Sequence, residues 1–157
     1  MKSKIYITGA AGFIGFHAAK KFLDKGIKVH GFDSINNYYD VNLKRSRLKI
    51  LKKYKNFSFT KGLLEKQKLL DQSVYKFKPS IIIHLAAQAG VRYSIENPDV
   101  YLSSNILGTF NVLNISNRIG LKHLIIGSSS SVYGANRKIP FQEIDKTDHQ
   151  VSFYAAT

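Results

Sequence analysis

"TGAAGFIGFHAAKKFLDKG", residues Thr8 to Gly26, decides how the rest of the chain is read. Glycines at 9, 12 and 15 stand between an apolar, β-rich run and a stretch with helical periodicity. A turn this tight needs residues that tolerate positive φ, and a backbone that closely approaches a pyrophosphate has no room for a Cβ. Packing of a helix on the preceding strand favours a third glycine. The start of the helix adds unpaired N–H groups and partial positive charge at the same spot. Glycine triplets also mark ordinary strand-to-helix turns, so the surrounding sequence carries the decision.

Five such runs recur along the chain, "KIYITG", "KVHGFD", "FSFTKG", "SIIIHLA" and "HLIIGSS". Helical stretches separate them, at about 13–25, 41–53, 65–77 and 97–119, with a last helix starting near Ser152. Strands separated by helices imply crossover connections and a parallel sheet, so the expected fold is α/β, a doubly wound parallel sheet of Rossmann type. The near-continuous apolar character of "SIIIHLA" and "HLIIGSS" predicts two strands buried on both faces.

Asp33 closes "KVHGFD", 18 positions beyond Gly15. A carboxylate at the end of the second strand can accept both hydroxyls of an adenosine ribose and repels a 2′-phosphate, which favours NAD over NADP. The other reading of Asp33 is a turn or capping aspartate. After the fourth strand, Ala86, Ala87 and Gly90 leave room for an extended ligand at the crevice where such sheets bind them. His84 within that strand reads as a hydrogen-bonded core histidine. Arg92, in the segment that follows, offers a planar fork for a carboxylate or phosphate, or is a plain surface arginine.

At 157 residues and 44% hydrophobic content the chain suits one globular domain. No apolar run reaches the roughly 18 residues of a membrane span, and "MKSKIYITGA" runs into the glycine motif instead of a cleavage site. These features predict a cytoplasmic protein that starts at Met1 and does not bind membranes. The absence of cysteine excludes disulfides and thiolate metal sites, and no metal site is expected. The net charge of +14 raises nucleic-acid binding as an alternative. Its densest cluster, "LKRSRLKILKKYK" from Leu43 to Lys55, carries Leu43, Arg47, Ile50 and Tyr54 at helical spacing with charges on the other faces. That pattern predicts a solvated helix, and no nucleic-acid partner is expected.

"SSSSVYG" (Ser128–Gly134) places four hydroxyls at the end of the fifth strand, and Tyr154 follows Ser129 by 25 residues at a helix start. A serine and a tyrosine meeting at an alcohol can form a proton-transfer pair, although serine runs also cap helices and tyrosines also pack.

The stretches "ITGAAGFIGFH", "DSINNYYDVNLK", "HLAAQAGVRYSIENPDVYLSSNILGTFNVL", "SSSSVYG" and "VSFYAAT" resemble the N-terminal part of an extended short-chain dehydrogenase/reductase, in particular of the UDP-glucuronate 4-epimerases. The resemblance implies that Gly9, Gly12, Phe13, Ile14, Gly15 and Asp33 hold NAD, that Ala86, Ala87 and Gln88 line its path, and that Asn105 supports the site. It makes Ser129 and Tyr154 the catalytic pair. Arg92, Ser130 and Ser131 become candidate holders of a uronic acid's carboxylate. It further implies a UDP-uronic acid substrate, a 4-keto intermediate and a homodimeric full-length protein.

The family pattern Tyr-x-x-x-Lys would place its lysine, which lowers the tyrosine's pKa, one position beyond Thr157. Residues 1–157 are therefore expected to be an incomplete NAD-binding domain, without the substrate subdomain and without turnover of their own. Where similar sequences carry an aspartate near the adenine, "KGLLEK" has Leu63. The expected loss is one hydrogen bond, about 0.5–1.5 kcal/mol or up to roughly tenfold in affinity. Nucleotide-sugar 4,6-dehydratases, the nearest rival reading, place an acidic pair where this chain has Ser130 and Ser131.

Overall fold

The computed structural model describes residues 3–157, so Met1, the expected start of the mature protein, lies outside them. Five strands, β1 (Lys4–Thr8), β2 (Lys28–Asp33), β3 (Phe57–Lys61), β4 (Ile81–His84) and β5 (His123–Ile126), form one parallel sheet in the order β3-β2-β1-β4-β5. The chain winds outward from β1 to β3 and then crosses back to β4 beside β1. The reversal opens a crevice at the carboxyl ends of β1 and β4, the position at which sheets of this kind take ligands.

Alternation along the strands supplies two cores. Ile5, Ile7, Val29 and Ile83 face helices α1 (Phe13–Asp24) and α2 (Val41–Leu51), where Phe16, Ala19, Leu23, Leu48 and Leu51 meet them. Tyr6, Phe32 and Ile82 face the other way, against Leu70 and Val74 of α3 (Gln67–Phe77) and Val112 and Ile115 of α6 (Gly108–Arg118). The intervening helices are α4 (Val91–Glu96) and α5 (Pro98–Tyr101), and a π-helical turn, Leu102–Leu107, leads into α6. A short 3₁₀ turn at Ser130–Tyr133 and helix α7 (Phe153–Ala156) complete the described chain.

Three sequence expectations are corrected. The helix expected at 97–119 is broken into α5, the π turn and α6, and the separate α4 precedes it. Asn97, at φ −135°, interrupts helical geometry ahead of Pro98, as the residue before a proline tends to do. The buried stripe of α2 is Lys44, Leu48 and Leu51, whereas Leu43 and Ile50 are exposed. Lysine can line a core through its apolar stem, so a pattern that counts only apolar residues shifts the stripe by one position. Finally, β5 is the outermost strand of the described sheet, and within residues 3–157 its Ile125 and Ile126 are 43% and 47% exposed and not covered on both faces.

Two histidines sit inside this scaffold. His30 stacks on Tyr6 with ring centroids 4.9 Å apart and lies 2.8 Å from Ser58 Oγ and 3.1 Å from Thr60 Oγ1. His84 bonds Thr8 Oγ1 through Nδ1 at 2.7 Å and Thr109 Oγ1 through Nε2 at 3.0 Å, which bears out its reading as a core residue. Thr8 Oγ1 already accepts the N–H groups of Leu85 and Ala86, so it must donate to Nδ1, and the ring is the neutral Nε2–H tautomer.

Burial pulls His30 down to about 4, with the Lys76 charge acting in the same direction, and burial alone does the same to His84. Between about pH 6.5 and 4 the unfolded chain therefore binds protons that the folded chain refuses. The stability these rings contribute is complete above about 6.5 and is lost as pH falls through about 4. The urea midpoint should accordingly drop between pH 7.5 and 5, and drop less in His30→Gln. A flat midpoint over that range would contradict neutral buried imidazoles.

Candidate active site

The crevice at the switch point widens into a cavity of about 430 Å³. Gly9 and Gly12 border it on one side, the β4 exit Leu85–Gln88 on another, and Asp33 and the loop Ser34–Tyr39 on a third. The glycine turn is built against both neighbouring strands. Gly9 has φ +72°, its N–H donates to Phe32 O at 2.8 Å, and a Cβ there would lie 2.9 Å from Ala86 N. A Cβ on Gly15 would overlap the Gly9 carbonyl oxygen, so α1 can approach the turn only through glycine. The turn thus leaves bare backbone at the cavity, as a bound pyrophosphate requires.

Asp33 makes the contacts of a turn aspartate and also lines the cavity. Its Oδ2 accepts the Ala11 N–H at 3.0 Å and its Oδ1 accepts the Ile35 N–H at 2.9 Å, which closes a local turn. Each oxygen keeps lone-pair capacity for a ligand hydroxyl. Lys44 enters the same cavity from α2. Its ammonium donates to Asn36 O at 2.8 Å and Asn36 Oδ1 at 2.6 Å, and it sits 4.1 Å from the centre of the Tyr39 ring. Burial lowers the Lys44 pKa, opposed by the Asp33 charge and reinforced by Arg47. The sequence reading missed Lys44, together with Tyr38 and Tyr93, which also line the cavity. The available signal for Lys44 was its place at i, i+4, i+7 with Leu48 and Leu51.

The other predicted residues fall into separate places. Gly9, Gly12, Asp33, Ala86, Ala87 and Gln88 line the cavity directly, and Leu63 joins them from the β3 exit. Asn105 lies behind the wall. Its Oδ1 accepts the Gln88 N–H at 2.7 Å, and its Nδ2 donates to Gln88 O and to Thr157 Oγ1, each at 3.0 Å. Gly15 supports the turn from beneath, while Phe13 and Ile14 are exposed on α1.

Arg92 is exposed on α4 and does not line the cavity. Ser129 caps the 3₁₀ turn, its Oγ accepting the Ser131 N–H at 3.3 Å, with Ser130 exposed beside it. Tyr154 is half-buried on α7, which packs against α4 and the 3₁₀ turn. Among the described residues no hydrogen bond joins Ser129 to Tyr154; the two share a neighbourhood through the 3₁₀ turn.

Three likenesses bear on this arrangement. The chain is 50% identical over 151 residues to a probable UDP-glucuronate 4-epimerase of Rhizobium meliloti, covering 96% of this chain and 44% of the relative. It is 53% identical over 154 residues to Protein CapI of Staphylococcus aureus, covering 98% and 46%. Among solved structures, UDP-glucose 4-epimerase of Bifidobacterium longum in complex with NAD+ and UDP superimposes with a TM-score of 0.85 at 27% identity, over 98% of this chain and 45% of that one. The chain thus spans about half the length of the curated relatives it matches. The family described as GDP-mannose 4,6 dehydratase matches residues 6–157, and the chain belongs to that family.

Proposed function

We propose that residues 1–157 form the dinucleotide-binding part of an NAD-dependent nucleotide-sugar 4-epimerase that interconverts UDP-glucuronate and UDP-galacturonate. One observation carries the proposal: a glycine turn with no room for side chains meets the Asp33 carboxylate at the rim of one cavity. In this reading the bare backbone at Gly9 and Gly12 takes the pyrophosphate, Asp33 takes the adenosine ribose, and Ala86, Ala87 and Gln88 flank the path toward Tyr154. Gly15, Phe13 and Ile14 belong to the same turn and helix start, and Asn105 fixes the Gln88 backbone. NAD held there would supply reversible hydride transfer at C4 of the sugar, chemistry that inverts C4 without net redox change.

The chain's own part is to bind, orient and move a proton. Tyr154 accepts the proton of the sugar's 4-hydroxyl and later returns it, while Ser129 donates a hydrogen bond to the same oxygen. Ser130, Ser131 and Arg92 are proposed to hold the uronic carboxylate, which keeps the 4-keto acid out of alignment for loss of CO2. The coverage of the relatives supports a substrate subdomain beyond residue 157, so residues 1–157 alone should bind the dinucleotide without turnover. A homodimeric full-length protein is part of the reading. Leu102, Ile106, Phe110 and Leu113 form an exposed apolar stripe at helical spacing that a second copy could cover. No helix among the described residues is long and apolar enough to cross a membrane.

The family's description makes dehydration the rival reading. Ser130 and Ser131, lacking acidic groups, favour epimerisation, because elimination of water across C5 and C6 needs an acid and a base there. NMR of the products that the full-length protein forms from UDP-glucuronate and, in separate incubations, from UDP-glucose and GDP-mannose tests this. UDP-galacturonate with no accumulating NADH is expected, whereas a 4-keto-6-deoxy product from any UDP- or GDP-hexose would replace the epimerase reading.

A further inference from the structure

α7 is only four residues long, yet it carries Tyr154, and a helix this short cannot hold its own geometry. Its first N–H groups have no partners within the helix. Ser152 Oγ accepts one of them, from Ala155 at 3.0 Å. The Tyr154 N–H is instead taken at 3.2 Å by Ser94 Oγ, from α4, 60 residues earlier in the chain. Ser94 is 1% exposed and donates its own proton to Val91 O at 2.6 Å, so its oxygen is held as an acceptor facing α7.

The Tyr154 ring meets a second fixed group. Tyr101 lies edge-on to Tyr154 at 5.9 Å between centroids and edge-on to Phe153 at 6.4 Å. Tyr101 is fully buried, and its hydroxyl lies 2.9 Å from Ala89 O and 2.6 Å from Gly90 O, one proton serving two carbonyls. Those carbonyls directly follow the cavity wall at Ala86–Gln88. Tyr93 packs on Tyr101 at 6.3 Å and on Tyr38 of the cavity loop at 5.0 Å. Gly90, at φ +109°, passes so close to Tyr38 that a Cβ would lie 2.8 Å from the Tyr38 hydroxyl.

We propose that Ser94 and Tyr101 are positioning residues for Tyr154: Ser94 fixes the backbone of its helix, and Tyr101 fixes its ring against the wall of the dinucleotide cavity. The inference rests on the catalytic reading of Tyr154 given above. Neither side chain touches substrate, so each acts only through the place of the Tyr154 hydroxyl. A displacement of about 1 Å in a reacting group can cost roughly a hundredfold in rate, which makes such fixing consequential.

The test is steady-state kinetics of the full-length protein with UDP-glucuronate, on Ser94→Ala and Tyr101→Phe, each alone and combined with Tyr154→Phe. Ser94→Ala should lower kcat by about tenfold or more with KM within about twofold, the signature of an interaction realised in the transition state. Tyr101→Phe, which keeps the ring, should lower kcat by a smaller factor, about threefold to tenfold, the worth of one hydrogen bond. In the Tyr154→Phe background both should cost less than about twofold, because the hydroxyl they position is already gone. Equal proportional losses in both backgrounds would overturn the positioning role, as would losses that appear only as a lowered melting temperature. If the unsubstituted protein turns over no UDP-sugar, the functional proposal itself fails and this inference with it; turnover with unaffected variants removes the inference alone.

Discussion

Tyr154→Phe in the full-length protein should reduce the interconversion of UDP-glucuronate and UDP-galacturonate by about 10²- to 10⁴-fold, the range over which a positioned proton-transfer group acts. The substitution keeps the ring, so the contacts to Tyr101 and the helix N–H to Ser94 survive, and NAD affinity and melting temperature should stay within error. Ser129→Ala should cost less, about tenfold, since it removes one hydrogen bond to the reacting oxygen. Its N-terminal cap on the 3₁₀ turn also disappears, so a small drop in stability accompanies it. Product formation followed by NMR separates these cases. A Tyr154→Phe protein with near-normal kcat would remove Tyr154 from the chemistry.

Gly15→Ala should damage binding and stability together. The added methyl group meets the Gly9 carbonyl and lies within 3.0 Å of Ala10 Cα, and all of these are backbone atoms that cannot rotate away. Overpacking of this kind costs about 1–3 kcal/mol, so the melting temperature should fall by several degrees. The same displacement opens the turn at Gly9 and Gly12, and NAD affinity should fall by more than about tenfold. Gly26→Ala separates a general loss of stability from the site: Gly26, unlike Gly15, has positive φ, at +73°, and a Cβ there meets nothing. It should lower stability by the left-handed backbone penalty of about 1–2 kcal/mol and leave NAD affinity unchanged. If the two variants bind NAD equally, the glycine turn does not hold the ligand.

What could be read from the sequence follows the range of the forces involved. The conformation of the glycine turn and the place of Asp33 at the cavity were legible because both are set within one strand-turn-helix unit, where backbone conformation and packing distance are local. The five strands and their parallel pairing followed from periodicity and from the helices between them. Strand order was not legible, because periodicity marks a strand without naming its neighbours, and the apolar run of β5 stands at the edge of the five described strands.

The π turn that brings Asn105 under Gln88 depends on contacts with the β4 exit, 17 residues away, and leaves no periodic mark. Lys44 was hidden by its charge, since its stem packs as a core residue does. The chain of rings from Tyr38 through Tyr93 and Tyr101 to Tyr154 joins residues up to 116 apart in sequence, and only the folded sheet brings them together.

The central claim is that the cavity between the glycine turn and the β4 exit is an NAD site read by Asp33. Calorimetric titration of the protein, freed of copurified nucleotide, with NAD and with NADP tests it most directly. A carboxylate with 9% exposure at the ribose end should repel a 2′-phosphate, so NAD should bind at least about tenfold more tightly than NADP, a difference of about 1.4 kcal/mol or more. Asp33→Ala should weaken NAD and narrow the gap. Equal affinities for the two dinucleotides in the unsubstituted protein, or no binding of either, would contradict the account.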